Sequence, residues 1–336
     1  MAKAKIIGTG LYAPGEPLSN EEVMKLANVE FDAAKMEEKL GMKNRHIAHL
    51  RGIEETTADF SEKAALAAIE NAGIDKDEIG LFVVGTDTPE YISPSTGVLV
   101  QGRIQGKKCK AASFDINASC AGFTIALDMV AAKMAADSTL KYAVVVGVYN
   151  MPAFFTPGDA FAYSIFADGA GAVVLERVED DSESGYINGF QITEGTEWDY
   201  IGIYAGGAKN PITKERLDNK EYGLQLLKPL PGSRNIELWP PIVEQLVEKA
   251  GMKVSDVDHF IFTQINKSVI EEVVKILGAT MDQATTVMDK YGYTGSGCVP
   301  MALHEAVSAG NIKRGDTVAF IASGAGLSVG CNIFKF

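Results

Sequence analysis

Cysteine and histidine are scarce in this chain, with four of each among 336 residues. Cys109, Cys120, Cys298 and Cys331 form no CxxC pair and have no histidine nearby at metal-ligand spacing. This argues against a zinc site and a disulfide framework and suits a reducing compartment. No run approaches the roughly 20 apolar residues of a membrane helix. The opening MAKAKIIGTG reaches glycine too soon for a signal-peptide apolar stretch, so the expected location is cytoplasmic, with no membrane partner. Basic charge is also in deficit: 31 Lys and Arg face 44 Asp and Glu, for a net charge of −13. Nucleic-acid binding draws on clustered Lys and Arg, and no such cluster is present. Nor does a Pro/Ser-rich linker divide the chain.

What is present is a globular composition, 46% hydrophobic and 22% charged, enough to bury a large core. An internal repeat organises it. ALAAIENAGIDKDEIGLFVVGTD reads against IVEQLVEKAGMKVSDVDHFIFTQI, each an amphipathic helix closed by glycine, an acidic turn and an apolar strand. Gly73 aligns with Gly251 and Phe82 with Phe260, both at an offset of 178. A second block, SCAGFTIALDMVAA against SGCVPMALHEAVSA, sets Ala126 on Ala302 at an offset of 176. The expectation is an α/β fold of two pseudo-symmetric halves, residues 1–178 carrying the nucleophile and 179–336 following, with helices on both faces of mixed or parallel sheets. Residues from about Gly189 to Pro241, rich in Gly, Asn and Pro, read as an irregular insertion at a substrate entrance.

In AASFDINASCAGF a strand turns sharply through Asn117, Ala118 and Ser119 into a helix beginning near Cys120. A thiol there faces the positive end of the helix dipole, which favours the thiolate and makes Cys120 a candidate nucleophile for thioesters. The plain alternative is a small buried hydrophobe, the reading taken for Cys109, Cys298 and Cys331. Acyl transfer also needs donors for the oxyanion. The second Gly-rich turn, ASGAGLSVG, offers the Ala325 N–H beside that of Cys120; otherwise Gly324 and Gly326 are simple turn residues.

These stretches, with KLGMKNRHIA, YISPSTGVLVQ, FADGAGAVVLE and DKYGYTGSGCVP, make the chain resemble the type III 3-oxoacyl-(acyl carrier protein) synthases of the thiolase superfamily from end to end. The resemblance implies a five-layered αβαβα fold, a homodimer and a nucleophile at Cys120. It implies an acyl-CoA or acyl carrier protein as partner, the CoA or phosphopantetheine thioester being substrate, with no further cofactor and no metal. It also exposes departures. Where the family reads PHQAN this chain has FTQIN, so Thr263 stands at the catalytic His; where it reads YGNTS this chain has YGYTG, so Tyr293 stands at the catalytic Asn. Thr and Tyr each donate one hydrogen bond, but neither titrates near neutrality as His does. None of His46, His49, His259 and His304 is expected to compensate.

Asp87, in VGTDTP, falls where the related 3-hydroxy-3-methylglutaryl-CoA synthases carry a catalytic Glu and is a candidate general base; its simpler role is to cap the turn before Pro89. The family's CoA-clasping Trp and Arg fall on Lys35 and Lys39, and further Arg positions on Ala160 and Ser268. Asn266 keeps the last position of the HQAN motif. A Phe that closes the acyl pocket from the neighbouring subunit falls on Ser93, which implies a wider pocket. The function expected is acyl transfer through a Cys120 thioester to a carbon nucleophile or another acceptor. An accessory subunit without catalysis and a thioesterase are the alternatives.

Overall fold

The computed structural model describes residues 2–107, 110–179 and 183–336; Cys109 lies outside the described residues. Long runs of Val, Ile, Ala and Phe build two central sheets, as strands covered on both faces require. In the first, β1 (Lys3–Tyr12), β2 (Ile79–Gly85), β3 (Ala112–Ile116), β4 (Tyr142–Asn150) and β5 (Asp168–Val178) lie in the order β1-β5-β4-β2-β3. β2 runs parallel to β3 and β4, while β5 is antiparallel to β1 and β4. In the second, β6 (Gly185–Glu197), β7 (His259–Phe262), β8 (Thr317–Gly324) and β9 (Gly326–Lys335) lie in the order β7-β8-β9-β6. Read from β6, this is the same sequence of directions. A parallel bridge from Phe260 to Ala284 stands where Phe82 pairs with Ser113 in the first sheet.

Helices fill three layers around these sheets. α1 (Thr57–Ala72) and α2 (Thr96–Gln105) cover the outer face of the first sheet. α3 (Gly122–Ala136) and α6 (Cys298–Ser308) lie between the sheets, whereas α4 (Arg234–Lys249) and α5 (Lys267–Ile276) cover the second. The expected αβαβα layering is therefore observed. The segment Ser119–Ala136 is long and apolar enough to cross a membrane by composition, yet 56% of it is buried inside the protein as the central helix. Close approach at its start depends on glycine: a Cβ on Gly85 would lie 2.5 Å from the Gly122 carbonyl carbon.

The insertion departs from the sequence reading at both ends. Residues 189–197 belong to β6, and α4 runs straight through Pro240 and Pro241. A proline inside a helix costs about 3 kcal/mol. Trp239, Ile242, Val243, Leu246 and Val247 are all buried on the second sheet, and burial contributes about 1.5–3 kcal/mol for each such side chain, so packing prevails over propensity. Between these ends the strands Ile201–Ile203 and Leu224–Leu226 pair antiparallel and contribute to the site wall, with a short helix, Lys214–Asp218, in the connection between them.

Candidate active site

Ser119 adopts the left-handed conformation, φ 48°, an uncommon backbone for a side-chain-bearing residue. This turns the chain from β3 into α3, with the Ala121 N–H donating to Ala118 O at 3.1 Å and Gly122 N–H to Ser119 O at 3.0 Å. Cys120 consequently faces a cavity of about 470 Å³, within the range of small-molecule sites. Ile201, Ile203, Leu224 and Leu230 of the insertion line its apolar side, so that segment forms part of the cavity wall.

The second glycine turn meets the first. A Cβ on Gly324 would lie 2.7 Å from Ala118 O and 2.8 Å from Cys120 N; glycine alone allows this approach. Ala325 follows in the cavity wall. Tyr293 is fixed by its backbone, donating to Ile165 O at 3.0 Å and accepting from Ala167 N–H at 2.9 Å. Its hydroxyl lies near the Cys120 thiol, and its ring packs against Tyr149 and Phe166 at centroid distances of 6.3 and 5.7 Å.

The electrostatics reverse the expectation for Cys120. Burial, followed by the nearby Asp87 carboxylate, holds its thiol well above the ordinary range, and the Tyr293 hydrogen bond only partly offsets this. Desolvation and a like charge outweigh the helix terminus, so the resting group is the thiol. Burial also pushes Asp87 up to about 6, against hydrogen bonds from its own backbone and Ser119. One oxygen, Oδ1, is buried without a hydrogen-bond partner, and Asp87 lines the cavity.

The remaining expected residues divide. Thr263 lines the cavity, but its Oγ1 accepts from Ser323 N–H at 3.0 Å and so staples β7 to β8. Asn266 also lines it, with Oδ1 capping α5 through Val269 N–H at 3.3 Å. Lys35 and Lys39 are exposed on consecutive short helical turns outside the cavity, held to α5 by Ser268 Oγ donating to Lys39 O at 2.7 Å; the adjacent Leu40 reaches the cavity. Ser93 is exposed on a loop and does not touch the cavity of its own chain.

None of the four histidines lines the cavity. His259 bonds Thr285 Oγ1 at 2.8 Å, His304 meets Thr9 Oγ1 at 3.0 Å, His46 contacts Gly15 O at 3.0 Å and His49 meets Tyr163 hydroxyl at 3.2 Å. Cys298 and Cys331 are buried thiols, each pushed up to about 12 chiefly by burial. No cluster of possible metal ligands occurs among the described residues.

Sequence reasoning missed Tyr149, Asn235 and Ser323, all in the cavity wall. Ser323 sat inside a motif already singled out. Asn235 had no local signal, because only tertiary packing carries the first turn of α4 to the end of β8, where Ser323 Oγ donates to Asn235 Oδ1 at 3.1 Å.

Two family models match this chain: 3-oxoacyl-[acyl-carrier-protein] synthase III over residues 114–195 and the C-terminal part of that synthase over residues 247–336. The chain is similar to the β-ketoacyl-[acyl-carrier-protein] synthase III of Coxiella burnetii, 34% identical over 336 residues and covering 100% of both chains. Among solved structures, the 3-oxoacyl-[acyl-carrier-protein] synthase III of Aquifex aeolicus superposes with a TM-score of 0.84 at 28% identity, covering 99% of this chain and 100% of that one. A priming β-ketosynthase from a polyketide biosynthetic pathway superposes with a TM-score of 0.84 at 26% identity, covering 98% and 95%.

Proposed function

Starting from the fact that the chain belongs to the 3-oxoacyl-(acyl-carrier-protein) synthase III family and is an acyl-transferring condensing enzyme of thiolase fold, we propose that Cys120 carries the acyl group as a thioester. The observation behind this is the meeting of the two glycine turns at Cys120, at the wall of a largely apolar cavity. In loading, the Cys120 sulfur attacks the thioester carbonyl of an acyl-CoA or acyl carrier protein, and the N–H groups of Cys120 and Ala325 receive the oxyanion. The C–S bond to the carrier breaks, and the carrier thiolate takes the proton that Cys120 released. In transfer, Asp87 takes a proton from the carbon acceptor, a C–C bond forms, and Cys120 leaves as a thiolate that recovers that proton.

Thr263 and Tyr293 occupy the positions of the family's His and Asn. With the Thr263 hydroxyl bonded to Ser323, Tyr293 is the one of the two whose hydroxyl influences the Cys120 thiol. Proton removal by Asp87 then takes the place of donor-assisted decarboxylation. Lys35, Lys39 and Asn266 border the route for the CoA or phosphopantetheine arm. A homodimer fits the edge strand β3, on which Phe114 is exposed, and the loop bearing Tyr91, Ile92 and Ser93, Ile92 being 83% exposed; unpaired edges and exposed apolar side chains favour a second copy. The halves 1–178 and 179–336 act as one unit around this site, in the cytoplasm.

One observation favours a second reading. A thiol held protonated beside a carboxylate, without a histidine, suits an accessory subunit that retains the fold and partners an active relative. Intact-mass measurement after incubation with straight-chain acyl-CoAs and acyl carrier proteins decides between them. A mass gain lost in Cys120→Ala is expected; no gain with any donor would overturn the acyl-enzyme.

A further inference from the structure

The polar side chains around the cavity beside Cys120 are engaged to different degrees, and Asn117 and Asn266, like Asn235, line it with Oδ1 committed to the protein. The Thr263 hydroxyl accepts from Ser323 N–H at 3.0 Å and donates to Ser323 O at 3.5 Å, and the Tyr293 hydroxyl lies near the Cys120 thiol. Gln264 is removed altogether: its Nε2 donates to Phe262 O at 2.8 Å and Thr285 O at 3.1 Å, and its Oε1 accepts from Val287 N–H at 2.8 Å. Asn235 differs. Its Oδ1 accepts from Ser323 Oγ at 3.1 Å, which commits the acceptor end of the amide to the protein and leaves Nδ2, a two-proton donor, in the cavity wall.

Ser323 is itself held, its N–H on Thr263 Oγ1 and its chain neighbour Gly324 against the Cys120 amide. Asn235 is therefore tied, through one side chain, to the turn that touches the nucleophile. The Asp87 carboxylate serves the same cavity but accepts hydrogen bonds when ionised, so it cannot stabilise negative charge on a substrate oxygen.

We propose that Asn235 Nδ2 donates a hydrogen bond to the carbonyl oxygen of the second thioester, the carbon acceptor that enters after Cys120 is acylated. Removal of the acceptor's α-proton puts negative charge on that oxygen, and a donor already held in place stabilises it without reorganisation. Asn235 is thus a catalytic residue of the transfer half-reaction, and Ser323 a positioning residue that sets its amide orientation. This rests on the acyl-enzyme reading and adds that the acceptor is itself a thioester.

The test separates the half-reactions. Wild type, Asn235→Ala, Asn235→Asp and Ser323→Ala are loaded from a series of acyl-CoAs, acetyl to dodecanoyl, and followed by intact mass. The acyl-enzymes are then mixed with acetyl-CoA, acetoacetyl-CoA or malonyl-CoA, and both loss of the acyl mass and the condensed product are measured. Far-UV circular dichroism and a melting transition matching wild type show that each variant folds, and discharge is expressed per acyl-enzyme formed. Discharge is expected to slow about 100-fold in Asn235→Ala and Asn235→Asp, the effect of removing one oxyanion donor. Ser323→Ala is expected to slow discharge less and to alter kcat rather than KM, which a merely structural residue would not do selectively. Discharge of Asn235→Ala within three-fold of wild type overturns the assignment. Acyl-enzyme that discharges to none of the thioesters also overturns it while leaving the nucleophile in place, whereas wild type that never loads overturns the acyl-enzyme and this role together.

Discussion

The two halves of the molecule begin their central helices at equivalent positions and use them differently. At the offset of 176 that aligns Ala126 with Ala302, Cys120 corresponds to Ser296. Cys120 faces the cavity. Ser296 is fully buried, its Oγ accepting from Phe123 N–H at 2.9 Å, so the second half caps the helix that begins beside Cys120. A helix start leaves several N–H groups without partners; one copy of the repeat offers them to chemistry and the other supplies a cap. Duplication thus provides a supported site without any change of fold.

Replacing Cys120 by Ala breaks this contrast most completely: acyl loading, read by intact mass, should vanish. Asp87→Asn should slow transfer about 100-fold, a typical general-base loss, with loading retained. The unaltered enzyme's transfer rate should rise with pH through about 6, where Asp87 ionises. The same residue has a stability signature of opposite sign. Its folded pKa is raised, so its contribution is present at acid pH and lost as pH climbs from about 4 to 6. Asp87→Asn should therefore raise the melting temperature above pH 6 and not below pH 4, measured by calorimetry.

Gly324→Ala places a methyl group against the Cys120 amide, and loading should fall about ten-fold or more as the oxyanion donors shift. Ser296→Ala leaves the Phe123 N–H buried and unpaired, a cost of about 1–3 kcal/mol that should appear as a lower melting temperature with Cys120 still able to load. The smallest effect is expected for Cys298→Ala. That thiol is buried and pushed up to about 12, so alkylation by iodoacetamide at neutral pH should be absent from it in the native protein, and loading should change less than two-fold.

Much of the fold was legible because strand and helix periodicity reports each element's own buried face. The helix–turn–strand repeat, the turn at Cys120 and the turn at Gly324 all follow from local patterns. Pro240 and Pro241 were misread because their cost is local, whereas the burial of Trp239 and its neighbours that offsets it belongs to the second sheet. Helix position alone predicted a thiolate at Cys120; burial and Asp87, brought near from the end of β2, reverse it.

The sequence by itself determined the family and the doubled α/β architecture, since these depend on contiguous residues and their spacing. Tertiary structure decided the charge state of Cys120, the unpartnered oxygen of Asp87 and the pairing of Asn235 with Ser323 across 88 residues. Desolvation and hydrogen bonding depend on which groups share a volume, and chain order does not encode that directly.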